Sequence, residues 1–230
     1  MILSFLRSMA DTLLSLVYPR QCIVCGTALA IDTDDSTCEP CAQALLAMPK
    51  PDANGYDKGF AFAQSFAAYP YADAARNMIL RYKSEGHITA VKDIALHIFE
   101  RIAPCDLPAV DLLVPVPSHK SRIKKRGFVP TILLVEQLAP LYHFPVSTDA
   151  LCATRATLRQ SELDAAARKQ NVKDAYAVRD ASIVAGKTIL LFDDVLTTGA
   201  TMDSCAKELL AAGAKEVHTL SIAVTAHGME

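Results

Sequence analysis

Between Thr188 and Thr201 the chain reads T-I-L-L-F-D-D-V-L-T-T-G-A-T. Ile189 to Phe192 is a continuous apolar run, too short for a helix and short enough for a strand buried on both faces of a parallel sheet. It empties into two carboxylates, Asp193 and Asp194, and then into the loop Thr197-Thr198-Gly199-Ala200-Thr201. From Thr198 onward, Ala206, Leu209 and Leu210 fall at helical spacing. A strand, a polar loop and a helix in that order place the loop where open α/β sheets bind ligands, outside the carboxyl ends of the strands. Backbone N–H groups, three hydroxyls and the positive end of the helix dipole suit a phosphate there. Gly199 permits close backbone approach or a positive φ. Adjacent carboxylates cannot both serve that anion, so at least one is expected to accept from sugar hydroxyls, with Mg²⁺ held nearby by substrate oxygens.

A second constraint lies at the other end of the chain. Cys22-Ile-Val-Cys25 and Cys38-Glu-Pro-Cys41 are two C-x-x-C knuckles separated by a short polar loop. Each knuckle sets two thiolates on one side of a tight turn, and two knuckles complete a tetrahedral Cys₄ site with no open position. The spacing also admits a rubredoxin-like iron site or two disulfides. Structural zinc is expected because nothing else in the chain suggests electron transfer and no export signal accompanies the cysteines. Cys105, Cys152 and Cys205 are expected to be small buried hydrophobes.

The 230 residues suffice for one sizeable α/β core and a small appended module, and a formal charge of −2 argues against a generally basic nucleic-acid coat. Residues 1–47 read as an amphipathic helix (Ile2, Phe5, Leu6, Met9, Leu13, Leu16, Val17) followed by a double zinc ribbon-like module. Arg7 and Asp11 interrupt the apolar run, so packing on the protein is expected over peripheral membrane contact, and the cytoplasm is the expected compartment. Residues 48–59, rich in Pro, Asp, Asn and Gly, read as a linker. Within 60–230, strand-like and turn-like character is expected over Phe60–Tyr71, helices over Asp73–Ser84, Thr89–Ile102, Gly127–Leu141 and Ser161–Gln170, and strands over Asp111–Val116 and Lys215–Val224. This alternation predicts a parallel sheet flanked by helices.

The run from Thr188 to Thr201 resembles the 5-phosphoribosyl-1-pyrophosphate (PRPP) signature of the type I phosphoribosyltransferases. The resemblance implies that Asp193 and Asp194 meet the ribose hydroxyls and that Thr197, Thr198, Gly199, Ala200 and Thr201 wrap the 5-phosphate. It further implies that Ser118, His119 and Lys120, at the end of V-P-V-P-S-H-K, cradle pyrophosphate, and that Arg155, Arg159 and Arg168 belong to a mobile loop and its supporting helix. The basic run Arg122, Lys124, Lys125 and Arg126 follows at once. It reads either as a solvated face or as a surface that draws in nucleic-acid phosphate.

Over nearly its whole length the chain is similar to the ComF competence-protein family. The Cys₄ module, I-L-R-Y-K-S-E-G-H, V-P-V-P-S-H-K, K-R-G-F, T-x-x-Q-x-x-L-x-x-x-x-R-x-x-N and D-D-V-L-T-T-G-A-T carry the resemblance in that order. Val129 and Pro130 depart from it, since the family commonly has Asn-Gln after the Phe. Lys83 occupies a lysine position of the family, without a role that the residues themselves reveal. The resemblance implies a cytoplasmic PRPP-binding protein that handles single-stranded DNA during natural transformation, alongside other DNA-uptake or DNA-processing proteins. A small-molecule phosphoribosyltransferase, with Asp193 or Asp194 stabilising an oxocarbenium-like sugar and zinc purely structural, is the other reading.

Overall fold

The computed structural model describes residues 20–30, 33–51, 59–85, 87–103, 106–155 and 174–225. Its strands are β1 (Ser65–Pro70), β2 (Leu112–Pro115), β3 (Leu151–Ala153), β4 (Tyr176–Val178), β5 (Thr188–Leu196) and β6 (Glu216–Val224). Its helices are α1 (Glu39–Ala47), α2 (Asp73–Glu85), α3 (Val91–Arg101), α4 (Lys120–Arg126), α5 (Pro130–Tyr142), α6 (Ala181–Val184) and α7 (Ala200–Ala211), with a 3₁₀ turn over Ile88–Ala90.

Four strands form a parallel sheet in the order β1-β6-β5-β2, and β3 pairs with β4 as a separate antiparallel hairpin. β5 lies inside the sheet, and its apolar run serves both faces because alternate side chains point to opposite sides. Leu190 and Phe192 join a core with Met78 of α2, Ile94 of α3 and Leu134 of α5. Ile189 and Leu191 join a second core with Cys205 and Leu209 of α7 and Tyr176 of the hairpin.

The metal-knuckle region is built into the first of these cores. Ile23, Val24, Leu29 and Leu45 share it with Met78, Ile79 and Ile94. The Ser36 N–H donates to Asp93 Oδ2 at 2.9 Å. Arg101 donates to the carbonyls of Ala68 at 2.7 Å and Met48 at 2.9 Å, and its guanidinium lies 4.5 Å over the Tyr69 ring. One cation thus satisfies carbonyls from both parts of the chain.

Three features differ from the sequence expectation. The helix expected over Gly127–Leu141 starts only at Pro130, in the first turn of α5, and an unexpected helix, α4, precedes it and ends where Gly127 adopts φ 82. The hairpin β3–β4 consists of strands too short to leave a periodic signal. β5 continues through the two aspartates to Leu196 and does not stop at Phe192, since β6 pairs with it along that length. The helices expected over Met1–Pro19 and Ser161–Gln170 lie outside the described residues. No helix among the described residues is long and apolar enough to cross a membrane.

Candidate functional site

The first knuckle closes through Cys22 N–H to the Thr27 carbonyl at 2.8 Å and Gly26 N–H to the Cys22 carbonyl at 2.9 Å. Gly26 has φ +78, and a Cβ there would meet the Arg81 guanidinium at 2.8 Å. In the second knuckle Cys38 caps α1 and Cys41 sits in its first turn. The Sγ atoms of Cys22, Cys25, Cys38 and Cys41 all lie within 4.8 Å of one another. A tetrahedral metal with bonds of about 2.3 Å to sulfur needs sulfurs roughly 3.8 Å apart. Cys25 and Cys38 are 3.7 Å apart. The four are free thiols, so the cluster could hold a metal ion. Hydrogen bonds to Thr27 bring the Cys25 thiol down to about 6, whereas burial and the neighbouring thiols push Cys41 up.

The second constellation stands at the carboxyl end of the sheet. Val116 N–H bonds the Phe192 carbonyl at 2.8 Å, so the chain leaves β2 beside the aspartates of β5. Because Asp193 and Asp194 are consecutive in a strand, they face opposite sides of the sheet. Asp194 turns toward α2 and pairs with Lys83, Nζ to Oδ2 at 2.5 Å. Asp193 accepts the Asp194 N–H at 2.8 Å. Burial and repulsion from Asp194 push the Asp193 carboxyl up to about 8, against the pull of Lys83.

Beyond them, Gly199 has φ 74 and caps α7, and a Cβ there would lie 2.9 Å from the Phe60 ring. Phe60 stacks on Phe62 with centroids 5.0 Å apart. The Ala61 N–H is fixed to Asp203 Oδ1 at 2.8 Å, so an aromatic segment is strapped against the first turn of α7. The Thr198 hydroxyl oxygen is buried and has no hydrogen-bond partner among the described residues. A hydroxyl left in that condition at a helix N-terminus fits an incoming anion that would accept from it.

The phosphoribosyl transferase domain family accounts for residues 123–229. The chain is 28% identical to the DNA utilization protein YhgH of Escherichia coli K12 over 200 residues, 85% of this chain and 86% of that one. It is 25% identical to competence protein F of Haemophilus influenzae Rd over 158 residues, 66% of this chain and 69% of that one. These matches make the chain similar to proteins of the ComF family. Among solved structures it is similar to the allosteric regulatory enzyme of purine biosynthesis, at 22% identity and TM-score 0.40, over 58% of this chain and 25% of that one.

The ComF-type protein brings several of the residues singled out in its sequence to one edge. Ser118, His119 and Lys120 follow β2 and start α4, where His119 Nδ1 accepts the Ser121 N–H at 3.2 Å and so caps the helix. Arg122 and Arg126 are one turn apart on α4. Burial raises the Tyr176 phenol, and the charge of Arg122 opposes that rise. Burial and Asp194 raise the Tyr82 phenol, with Arg126 opposing. Lys124 is exposed on the same helix, whereas the Lys125 side chain lies outside the description. Arg155 is exposed at the end of β3, and Arg159 and Arg168 lie outside the described residues. Cys205 is buried as expected, Cys152 is half-buried, and Cys105 lies outside the described residues.

Sequence reasoning missed Phe60 and left Lys83 without a role. No local signal ties Phe60 to a loop far along the chain. For Lys83 the motif I-L-R-Y-K was visible, but its partner Asp194 is brought to it only by α2 packing on the sheet.

Proposed function

We propose that this ComF-type protein binds PRPP with Mg²⁺ at the carboxyl end of β2 and β5 and engages single-stranded DNA beside it. Asp193 and Asp194 would accept from the ribose hydroxyls, Thr197 to Thr201 would hold the 5-phosphate, and Ser118, His119 and Lys120 would hold pyrophosphate. Mg²⁺ would be carried by PRPP oxygens, with a carboxylate nearby to balance its charge. The observation that carries this reading is the buried Thr198 hydroxyl at the start of α7, without a hydrogen-bond partner among the described residues and close in sequence to the two aspartates. Zinc is the metal that four thiolates at this spacing suit, and its role is structural because no coordination position stays open. Residues 1–47 form the metal module in this proposal, 48–59 join it to the rest, and 60–230 form the phosphoribosyltransferase-type domain.

The DNA half of the proposal is supported by the position of α4, with Arg122, Lys124, Lys125 and Arg126 in a chain of net charge −2, and by the names of the relatives. Two polyanions sharing one lip would repel within a Debye length of about 10 Å. Fluorescence anisotropy with a labelled oligonucleotide, over a salt series with and without PRPP, tests both halves. Lys124→Ala with Lys125→Ala is expected to weaken strand binding and to flatten its salt dependence by nearly two phosphate contacts, while PRPP affinity changes less. PRPP is expected to weaken strand binding to the wild type. If no strand binds, and pyrophosphate is released only with a defined base, the small-molecule transferase replaces this reading.

A further inference from the structure

A cleft of about 230 Å³ opens where the metal knuckles meet the junction of α2 and α3. Arg20, Gln21 and Ser36 line one wall, and His87, Thr89 and Ala90 line the other. Arg20 and Gln21 immediately precede the first knuckle and Ser36 nearly abuts the second. His87 closes the motif R-Y-K-S-E-G-H, whose Lys83 belongs to the sheet-edge site and whose other polar members that site does not absorb.

The chemistry of the cleft is that of an anion receptor. Arg20 is oriented by donating to the Thr33 carbonyl at 2.7 Å and the Asp34 carbonyl at 3.0 Å, which uses two of its five N–H groups. Arg81 donates to Gln21 Oε1 at 2.9 Å and lies 3.2 Å from His87 Nε2. Since a guanidinium can only donate, that His87 nitrogen accepts. The Ser36 hydroxyl oxygen is buried and unpartnered among the described residues, in a residue only 4% exposed. The nearby carboxylates are committed to backbone: Asp93 Oδ2 accepts from Ser36 N–H and Asp35 Oδ1 from Thr37 N–H, each at 2.9 Å. What remains is an oriented fork of donors and a buried hydroxyl that can donate, which match the oxygens of a phosphate.

We infer that this cleft is a second phosphate site, distinct from the sheet edge, which takes one backbone phosphodiester of a single strand. The inference rests on the proposal that the protein engages single-stranded DNA. It gives the metal module a part in that engagement: the knuckles fix Arg20 and Ser36 against the domain, and the strand runs over the seam between them.

Thr89 is the residue through which to test it, because it is exposed at the mouth of the cleft. The full-length, metal-loaded protein is used throughout. Thr89→Glu is expected to weaken oligonucleotide binding roughly three- to tenfold near ~0.1 M salt and to lower the salt slope by about one contact. Thr89→Lys is expected to strengthen it, and both variants should keep wild-type metal content and PRPP affinity. Ser36→Ala should weaken binding in the same direction as Thr89→Glu. Equal oligonucleotide affinity for wild type and both Thr89 variants overturns the inference. If Lys124→Ala with Lys125→Ala loses strand binding while the Thr89 variants do not, the DNA reading stands and the cleft does not contribute to it. If wild type binds no strand, both fall. A thermal shift with inorganic phosphate, present in wild type and absent in Thr89→Glu, would then assign the cleft to free phosphate.

Discussion

The metal knuckles and the sheet edge solve the same problem, holding several charged or chargeable groups close together, by opposite means. In the knuckles, the groups that converge are near neighbours in sequence, and the local turn geometry of each C-x-x-C brings two thiols together. At the sheet edge, two residues adjacent in sequence are separated by the pleat. Asp193 goes to one face and Asp194 to the other, where it meets Lys83 from α2. Local spacing therefore announces a metal site, while the strand that carries a carboxylate decides which neighbours it will have.

The largest expected effect tests whether the metal holds the module. Elemental analysis should give about one zinc per chain. Cys22→Ser or Cys38→Ser should lower metal content and soluble yield together, with a loss of several kcal/mol, because apolar residues of the module share a core with α2 and α3. Soluble, folded, zinc-free wild type would break the comparison at its first term.

Next in size is the sheet edge. Asp193→Asn with Asp194→Asn should weaken PRPP binding in Mg²⁺ by about 1.5–3 kcal/mol per lost charge-assisted bond, read by calorimetry, with the fold intact. The single variants sharpen the comparison, since Asp194→Asn also releases Lys83 and Asp193→Asn does not. Equal affinity for wild type and the double variant would remove the sugar from this edge.

A smaller effect is expected at Gly199. Gly199→Ala carries the strain of φ +74 and a contact with the Phe60 ring, and should cost on the order of 1–3 kcal/mol of stability together with PRPP affinity. Adding Phe60→Ala should recover the part due to the ring alone, so a double-mutant cycle by thermal denaturation separates strain from contact. If the second substitution recovers nothing, Phe60 does not press on the loop.

A further effect is one of pH. Asp193 is held up to about 8 by burial and by Asp194, against about 3.9 for an unfolded aspartate. Between those values the folded chain keeps a proton that the unfolded chain has lost. Stability should therefore fall as pH rises from about 4 toward 8 through this group. Asp193→Asn removes that loss. Its melting temperature should exceed wild type at pH 8 by roughly 2–4 °C per kcal/mol relieved, and the difference should fade toward pH 4. A difference independent of pH would show that Asp193 titrates normally.

The sequence by itself determined the features whose physics is local. Apolar alternation, the two C-x-x-C turns, the glycine before α7 and the prolines before α4 each constrain a few neighbouring residues, so they could be read without a fold. β2, β5, β6 and the helices α2, α3, α5 and α7 followed from them, whereas α1, α4 and α6 did not. Tertiary structure decided what depends on residues far apart in the chain. The parallel sheet puts β2 beside β5 and so brings Val116, where the loop to Ser118 starts, beside Phe192, the residue before Asp193. Packing of α2 brings Lys83 to Asp194, and the Phe60 ring against the first turn of α7 makes a side chain at position 199 costly. It also decided that the metal module is part of the core and not a pendant, because Leu45 and Ile23 find their apolar partners on α2 and α3. Burial of that surface favours attachment, and no periodicity within the module could have foretold its partner.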